Sequence, residues 1–220
     1  MDLSSLPYTT ARLTLCSTAP MTHSHKIYVP AFKGEKPEEY DTRNWRLKLN
    51  TLKNEDGELQ VVIPQFGFHL CMIAAAKYSK RKIAGQGVAT WTGKFTSGIM
   101  LPEPLRLVSP GTDEPILASS VKPIELFVNA DGVRGSGKRV PKLFPIIPEW
   151  QTTFTIVILD PIISEEIFCE MVGLAGLFVG VGQYRPEKAG SNGRFTLEKL
   201  EWNEVRTEVD AHTVIDDSGF

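Results

Sequence analysis

Thr152-Thr-Phe-Thr-Ile-Val-Ile-Leu159, followed by Asp160-Pro161 and Ser164-Glu-Glu-Ile-Phe168, is the stretch that decides how this chain folds. β-Branched and aromatic residues fill the first eight positions, which suits a strand. Asp160 and Pro161 turn the chain. Ser164 offers a side-chain oxygen to cap a helix, and Glu165 and Glu166 put negative charge at its positive end. Ile167, Phe168, Met171, Val172, Ala175 and Phe178 then recur at helical spacing and predict a buried stripe, ended by Gly180 and Gly182. After a loop, Gly193-Arg-Phe-Thr-Leu-Glu-Lys-Leu-Glu-Trp202 predicts a strand whose apolar residues change face partway, so the pattern leaves its register open.

An earlier strand–helix pair matches this one. Ala11 to Thr18 (ARLTLCST) alternates as a half-buried strand does, and IPQFGFHLCMIAAAKYSKRK predicts a helix from about Gln65 to Ser79 with Phe66, Leu70, Ile73, Ala74 and Tyr78 as its stripe. Between and after these lie Ala19 to Asn50, aperiodic and read as a long loop, and four short apolar runs read as strands: Val88 to Trp91, Ile99 to Leu101, Leu105 to Val108 and Ile124 to Val128. Asn129 to Pro148, with Gly and Pro on both sides of a basic run, is read as an exposed loop. The order strand, helix, strands, strand, helix, strand predicts an α+β chain with a ferredoxin-like (RRM-like) core over residues 1–203. Two large insertions fall at about 19–62 and 110–148, and residues 204–220 form a flexible acidic tail.

At 220 residues and 42% hydrophobic the chain can build a substantial core, but its net charge of -2 gives no whole-molecule attraction to polyanions. Any nucleic-acid contact must be a local patch. Cys16, Cys71 and Cys169 are scattered, odd in number and set among apolar residues, so buried reduced thiols are expected. The start MDLSSLPYTT has no signal-peptide character and no apolar run approaches the ~18 residues of a membrane span, so a cytoplasmic location is expected.

Chemistry concentrates in Gly180-Val-Gly-Gln-Tyr-Arg-Pro-Glu-Lys-Ala-Gly-Ser-Asn-Gly-Arg-Phe195. Gly180 and Gly182 allow a backbone to approach a phosphate or base, Arg185, Lys188 and Arg194 supply charge, and Tyr184 a stacking face. A plain helix-to-strand connector is the alternative, although one glycine would suffice for that. Gly132 to Arg139 has P-loop spacing, but Arg139 replaces the magnesium-holding hydroxyl and Val140-Pro141 cannot open the required helix, so nucleotide hydrolysis is not expected. Arg134, Lys138, Arg139 and Lys142 remain as a basic loop able to clamp a backbone, or as a solvated loop. Lys77, Lys80, Arg81 and Lys82 form either a solvated helix end or one wall of a groove. His23 and His25 lack a third ligand at metal-binding spacing, so no metal is expected. No carboxylate pair and no G-x-S-x-G elbow occurs, so neither an enzyme activity nor a cofactor is expected.

Ile63-Pro-Gln-Phe leading into Met72-Ile-Ala-Ala-Ala-Lys-Tyr, the loop from Gly180-Val-Gly182 to Gly193-Arg194-Phe195, and Ala19-Pro-Met-Thr-His-Ser24 together resemble the repeat-associated mysterious protein (RAMP) superfamily. Its members are ferredoxin-like backbone subunits of CRISPR effector complexes. The ending also resembles small tailed-phage proteins with a GxGxxRP…GRF pattern. The RAMP resemblance implies single-stranded RNA or DNA held in a basic groove and subunits, as a homo-oligomer or with other complex subunits, repeating along the strand. It assigns Arg185, Lys188 and Arg194 to the glycine-loop contact and Lys138 and Arg139 to a thumb. Some members cut RNA with an Asp in the loop after the first strand, where this chain has His23 and His25. Two classes of function are therefore expected to compete: a non-catalytic strand-binding protein, and a structural or assembly protein such as a phage component, with an RNA-cleaving subunit behind both.

Overall fold

β1 (Tyr8–Ser17) is the strand about which the rest is arranged, and both its neighbours come from the far end of the chain. The computed structural model describes residues 8–129 and 137–205. After β1 come β2 (Met21–Thr22), α1 (Pro37–Asn44) with a 3-10 turn at Trp45–Lys48, β3 (Thr51–Lys53), β4 (Leu59–Ile63), α2 (Gln65–Ser79) and α3 (Trp91–Ser97). Then follow β5 (Ile99–Met100), β6 (Leu105–Arg106), β7 (Lys122–Asn129), β8 (Arg139–Ile147) and β9 (Gln151–Ile158). The last elements are α4 (Glu165–Leu174) prolonged by a π turn at Ala175–Val179, a 3-10 turn at Pro186–Lys188, and β10 (Phe195–Val205). Helices mixed with antiparallel sheet make an α+β chain, as the sequence predicts.

The main sheet runs β10-β1-β9-β5 with every pair antiparallel, α2 lying between β1 and β5 in sequence and α4 between β9 and β10. Both helices cover one face: Phe68 of α2 meets Phe154 edge-on at 5.1 Å, and Phe168 of α4 lies 5.6 Å from Trp202. Ala11, Leu13 and Leu15 point into that layer and are fully buried, while Arg12 and Thr14 point to the open face, where Thr14 and Thr153 share a hydrogen bond at 2.9 Å. The middle of the open face therefore carries Arg12, Thr14, Thr153 and Thr155 in place of the aromatic rings with which an RNA-recognition sheet stacks bases. A bulge settles β10: Thr14 pairs with Lys199 and Leu15 with Leu197, so Glu198 is the extra residue. It lets Phe195 and Leu197 before it and Leu200 and Trp202 after it face the same core.

α2 has the predicted bounds but the opposite orientation. Phe68, Cys71, Met72, Ala75 and Ala76 are buried, whereas Phe66, Leu70 and Tyr78 are 68%, 44% and 53% exposed. A helix apolar nearly all round has two stripes at 3.6-residue spacing, and periodicity cannot choose between them. In α4, Ser164 Oγ accepts the Ile167 N–H as expected, and the stripe from Ile167 to Ala175 is buried. Phe178 is not. The π turn adds a residue and rotates its ring outward to stack on Tyr78 at 4.9 Å.

Other expectations are corrected. Residues 19–50 are not a bare loop but carry β2, α1 and a 3-10 turn, the last two held by a buried ion pair between Asp41 and Lys48 that a polarity pattern hides. Val88 to Trp91 is no strand: Gly85 and Gly87 turn the chain and Trp91 opens α3. Within the stretch read as an exposed loop, Arg139 to Ile147 is β8, paired with β7 from Asn129–Arg139 to Lys122–Ile146; Pro141 and Pro145 masked it, tolerated because β2 pairs only with Ile146 and Ile147. The final strand reaches Val205 rather than Asn203. The expected acidic tail beyond it, with Arg134 and most of the P-loop-like stretch, lies outside the described residues. Of the cysteines only Cys71 is buried; Cys16 and Cys169 are half-buried, Cys16 because it lies on the open sheet face. Among the described residues no helix is long and apolar enough to cross a membrane.

Candidate nucleic-acid interface

Three segments meet at a cleft of about 300 Å³: the chain leaving β2 (His23, Ser24, His25, Lys26), the N-terminal turns of α2 (Pro64, Gly67, Leu70, Cys71), and the glycine-rich loop (Gly180 to Gln183, Arg185). Their meeting is built from backbone contacts. Gln183 N–H donates to Thr22 O at 2.7 Å, Gly193 N–H to Pro20 O at 2.7 Å, and the Cys71 thiol to Gly180 O at 3.3 Å. Burial pushes that thiol up to about 12, so it stays a neutral donor.

The glycines serve this internal fit. At Gly193, with φ +72°, a Cβ would lie 1.8 Å from Val181 O, and at Gly182, with φ +75°, 2.6 Å from Thr22 O. The close approach expected of a ligand is made instead by the protein's own backbone.

Among the described residues no carboxylate lines the cleft. α2 has no side-chain cap at Pro64, and Gly67 of its first turn lines the cleft at the positive end of the helix dipole. His23 is buried to 3% exposure, and its Nδ1 accepts the Asn50 N–H at 3.3 Å, which leaves the ring proton on Nε2. Burial lowers its pKa to about 4, so the ring is neutral at pH 7. Lys26 adds a positive charge, its Nζ 5.2 Å from the centre of the Tyr28 ring.

The residues singled out in the sequence divide by position. Gly180, Gly182 and Arg185 reach the cleft, but Arg185 donates to Glu187 at 2.8 and 3.0 Å and to Gly182 O at 3.1 Å. Lys188 shares Glu187 at 3.6 Å, and Arg194 is spent on the carbonyls of Leu177 and Ser191. Tyr184, at φ +56°, meets Phe144 edge-on at 5.6 Å and joins the loop to β8. Lys138 and Arg139 begin β8, away from the cleft; Arg139 shares a sheet face with Phe127, 64% exposed, and neither cation has an ion pair among the described residues. Lys77 and Lys80 are likewise unpaired but lie at the other end of α2, its last residue roughly 13 Å beyond Leu70 along the axis. Arg81 is paired with Glu170 and Glu166. Lys26 and the start of α2 are what sequence reading missed, and His23 was singled out there only for metal binding and RNA cleavage. Their signal was His23-Ser-His25-Lys26 followed by the uncapped Pro64, which only folding brings together.

No family model matches this sequence, and no curated protein matches it. Among solved structures, Cmr6 from Pyrococcus furiosus is similar over 86% of this chain and 98% of its own, at 13% identity and a TM-score of 0.46. A cryo-EM structure of the type III-B Cmr-beta bound to cognate target RNA is similar over 92% of this chain, at 15% identity and a TM-score of 0.42. This chain spans 63% of the length of the Cmr-beta chain it matches.

Proposed function

We propose that this chain is a non-catalytic binding protein for single-stranded nucleic acid, RNA in the first instance, built on a ferredoxin-like core and working as one subunit among others. The observation that carries the reading is a cleft that no carboxylate among the described residues lines. The uncapped start of α2, the Nε2–H of His23 and the ammonium of Lys26 offer positive charge and donors of the kind a phosphodiester accepts from. The sheet order β10-β1-β9-β5 with both helices on one face is consistent with the named core. The β7–β8 hairpin, with Phe127 beside Arg139, supplies a second contact in the role of a thumb. His23 supports the non-catalytic part: with Nδ1 occupied and a pKa of about 4, it is neither a ready base nor a charged acid at neutral pH.

An assembly role has its own support in the outer stripe of α2, where Phe66, Leu70 and the Tyr78–Phe178 stack face solvent. It complements strand binding in a complex subunit. The test is binding of labelled oligonucleotides across a salt series, with Lys26→Ala and Lys138→Ala each expected to weaken binding and to flatten the slope of log K against log salt by about 0.7 for a single strand. Absence of binding at low salt refutes the proposal, and assembly in size-exclusion chromatography that ignores added oligonucleotide leaves the structural role alone standing.

A further inference from the structure

The segment between the cleft and α1 carries two aromatic rings that the fold leaves in water: Tyr28 is 78% and Phe32 65% exposed. Phe32 is nonetheless held in place. The Arg43 guanidinium lies over one face, 3.9 Å from the ring centre, and is pinned by two hydrogen bonds of 2.8 Å to Glu35. Glu35 Oε2 also accepts the Phe32 N–H at 2.9 Å, so the ring is anchored through its backbone and through one face. Tyr40 flanks the same guanidinium at 5.6 Å and donates its hydroxyl to Val29 O at 2.6 Å. Because Glu35 neutralises Arg43, this cluster has no spare charge for a phosphate. What it offers is an open π-face held from behind, and four residues earlier the Tyr28 ring has the ammonium of Lys26, which lines the cleft, 5.2 Å from its centre.

We propose that Tyr28 and Phe32 form a base-stacking site that takes unstacked nucleobases of a single strand whose phosphates occupy the neighbouring cleft. The site rests on the nucleic-acid reading above and adds to it the part that touches bases. An exposed ring already fixed by its neighbours loses little freedom when a base covers it. Every base has a π-face, so the site grips without choosing sequence.

The experiment measures affinity by fluorescence anisotropy for a short labelled oligouridylate and for the same sugar-phosphate backbone made abasic. The wild-type chain binds the oligouridylate more tightly. Tyr28→Ala and Phe32→Ala each weaken oligouridylate binding by about 5- to 150-fold, leave the abasic backbone and the salt slope unchanged, and are restored by Trp at the same position. Equal wild-type affinity for both backbones, or Ala variants that weaken both alike, overturns the stacking site and spares the wider reading. A wild-type chain that binds neither refutes the nucleic-acid function itself, and the stacking site with it. Ala variants that keep full oligouridylate affinity but change the sedimentation of the free protein identify a protein contact and also overturn the proposal. Both rings are exposed, so unchanged thermal midpoints are expected of the variants.

Discussion

Lys48→Met is expected to destabilise the protein by about 3–5 kcal/mol, because it strands a charge that the fold has taken out of water. The Lys48 ammonium lies 2.5 Å from Asp41 Oδ1, with the two side chains 9% and 12% exposed. It also donates to the Leu143 carbonyl and sits 4.5 Å from the Phe144 ring centre, while Asp41 Oδ2 accepts the Leu143 N–H. One pair of charges thus clasps α1 and its 3-10 turn onto β8. Removing the lysine leaves a buried carboxylate and an orphaned carbonyl. Removing both charges in Asp41→Leu with Lys48→Met leaves only the two Leu143 backbone groups unpaired, at about 1–3 kcal/mol each. At about 4 kcal/mol for each single and about 2 kcal/mol for each orphaned group, the double variant should fall short of the sum of its singles by about 4 kcal/mol. Urea denaturation at pH 7 reads this directly: with a slope of about 2 kcal/mol/M, Lys48→Met moves the midpoint down by about 2 M. Faster amide exchange across residues 139–147 should accompany it. Single effects under about 1 kcal/mol, or additivity of the pair within about 0.5 kcal/mol, would refute the clasp.

Stability should also fall with acid in a defined window. His23 titrates near 4 when folded and near 6.5 when unfolded, so the unfolded chain binds the extra proton; the contribution is complete above pH 6.5 and is lost as pH drops toward 4, about 3 kcal/mol in all. His23→Gln should flatten that part of the pH profile, and an unchanged profile would contradict the burial. Gly193→Ala should cost more than about 2 kcal/mol, since its Cβ would strike Val181 O at positive φ, whereas Gly173→Ala in α4, where a Cβ meets nothing, should stabilise by about 0.5–1 kcal/mol; thermal melts that rank them otherwise would exclude this account of the glycine loop. Cys16 donates its thiol to Glu198 at 2.9 Å and is pushed up to about 11 by burial first and Glu198 second, so it should react slowly with disulfide reagents at pH 8 despite its partial exposure. Glu198→Gln should quicken that reaction, and no change in rate would remove Glu198 as a cause.

What could be read in advance was local. Ser164 ahead of Glu165 and Glu166, the strand before it and the Gly180 stop were legible because capping, charge at a helix end and chain reversal act within a few residues. α2 was legible in extent but not in orientation, since Phe66 and Phe68 are equally apolar and only the sheet beneath chooses Phe68. β8 was hidden by Pro141 and Pro145, and α1 by its own polarity. In the glycine loop, residue types pointed to cations facing a ligand. Glu187, two positions from Arg185, already stood in the sequence, but its hydrogen bonds to Arg185 depend on a turn that the sequence does not show.

The sequence by itself determined an α+β chain, the bounds of α2 and the strand–helix–glycine unit of its second half, because those depend on backbone preference and on contacts a turn or less away. Tertiary structure alone decided which stripe of α2 meets the core, which cations keep an uncompensated charge, and that His23, Lys26 and the start of α2 share one cleft. Such outcomes depend on pairings between residues far apart in the chain, and periodicity carries no information about those.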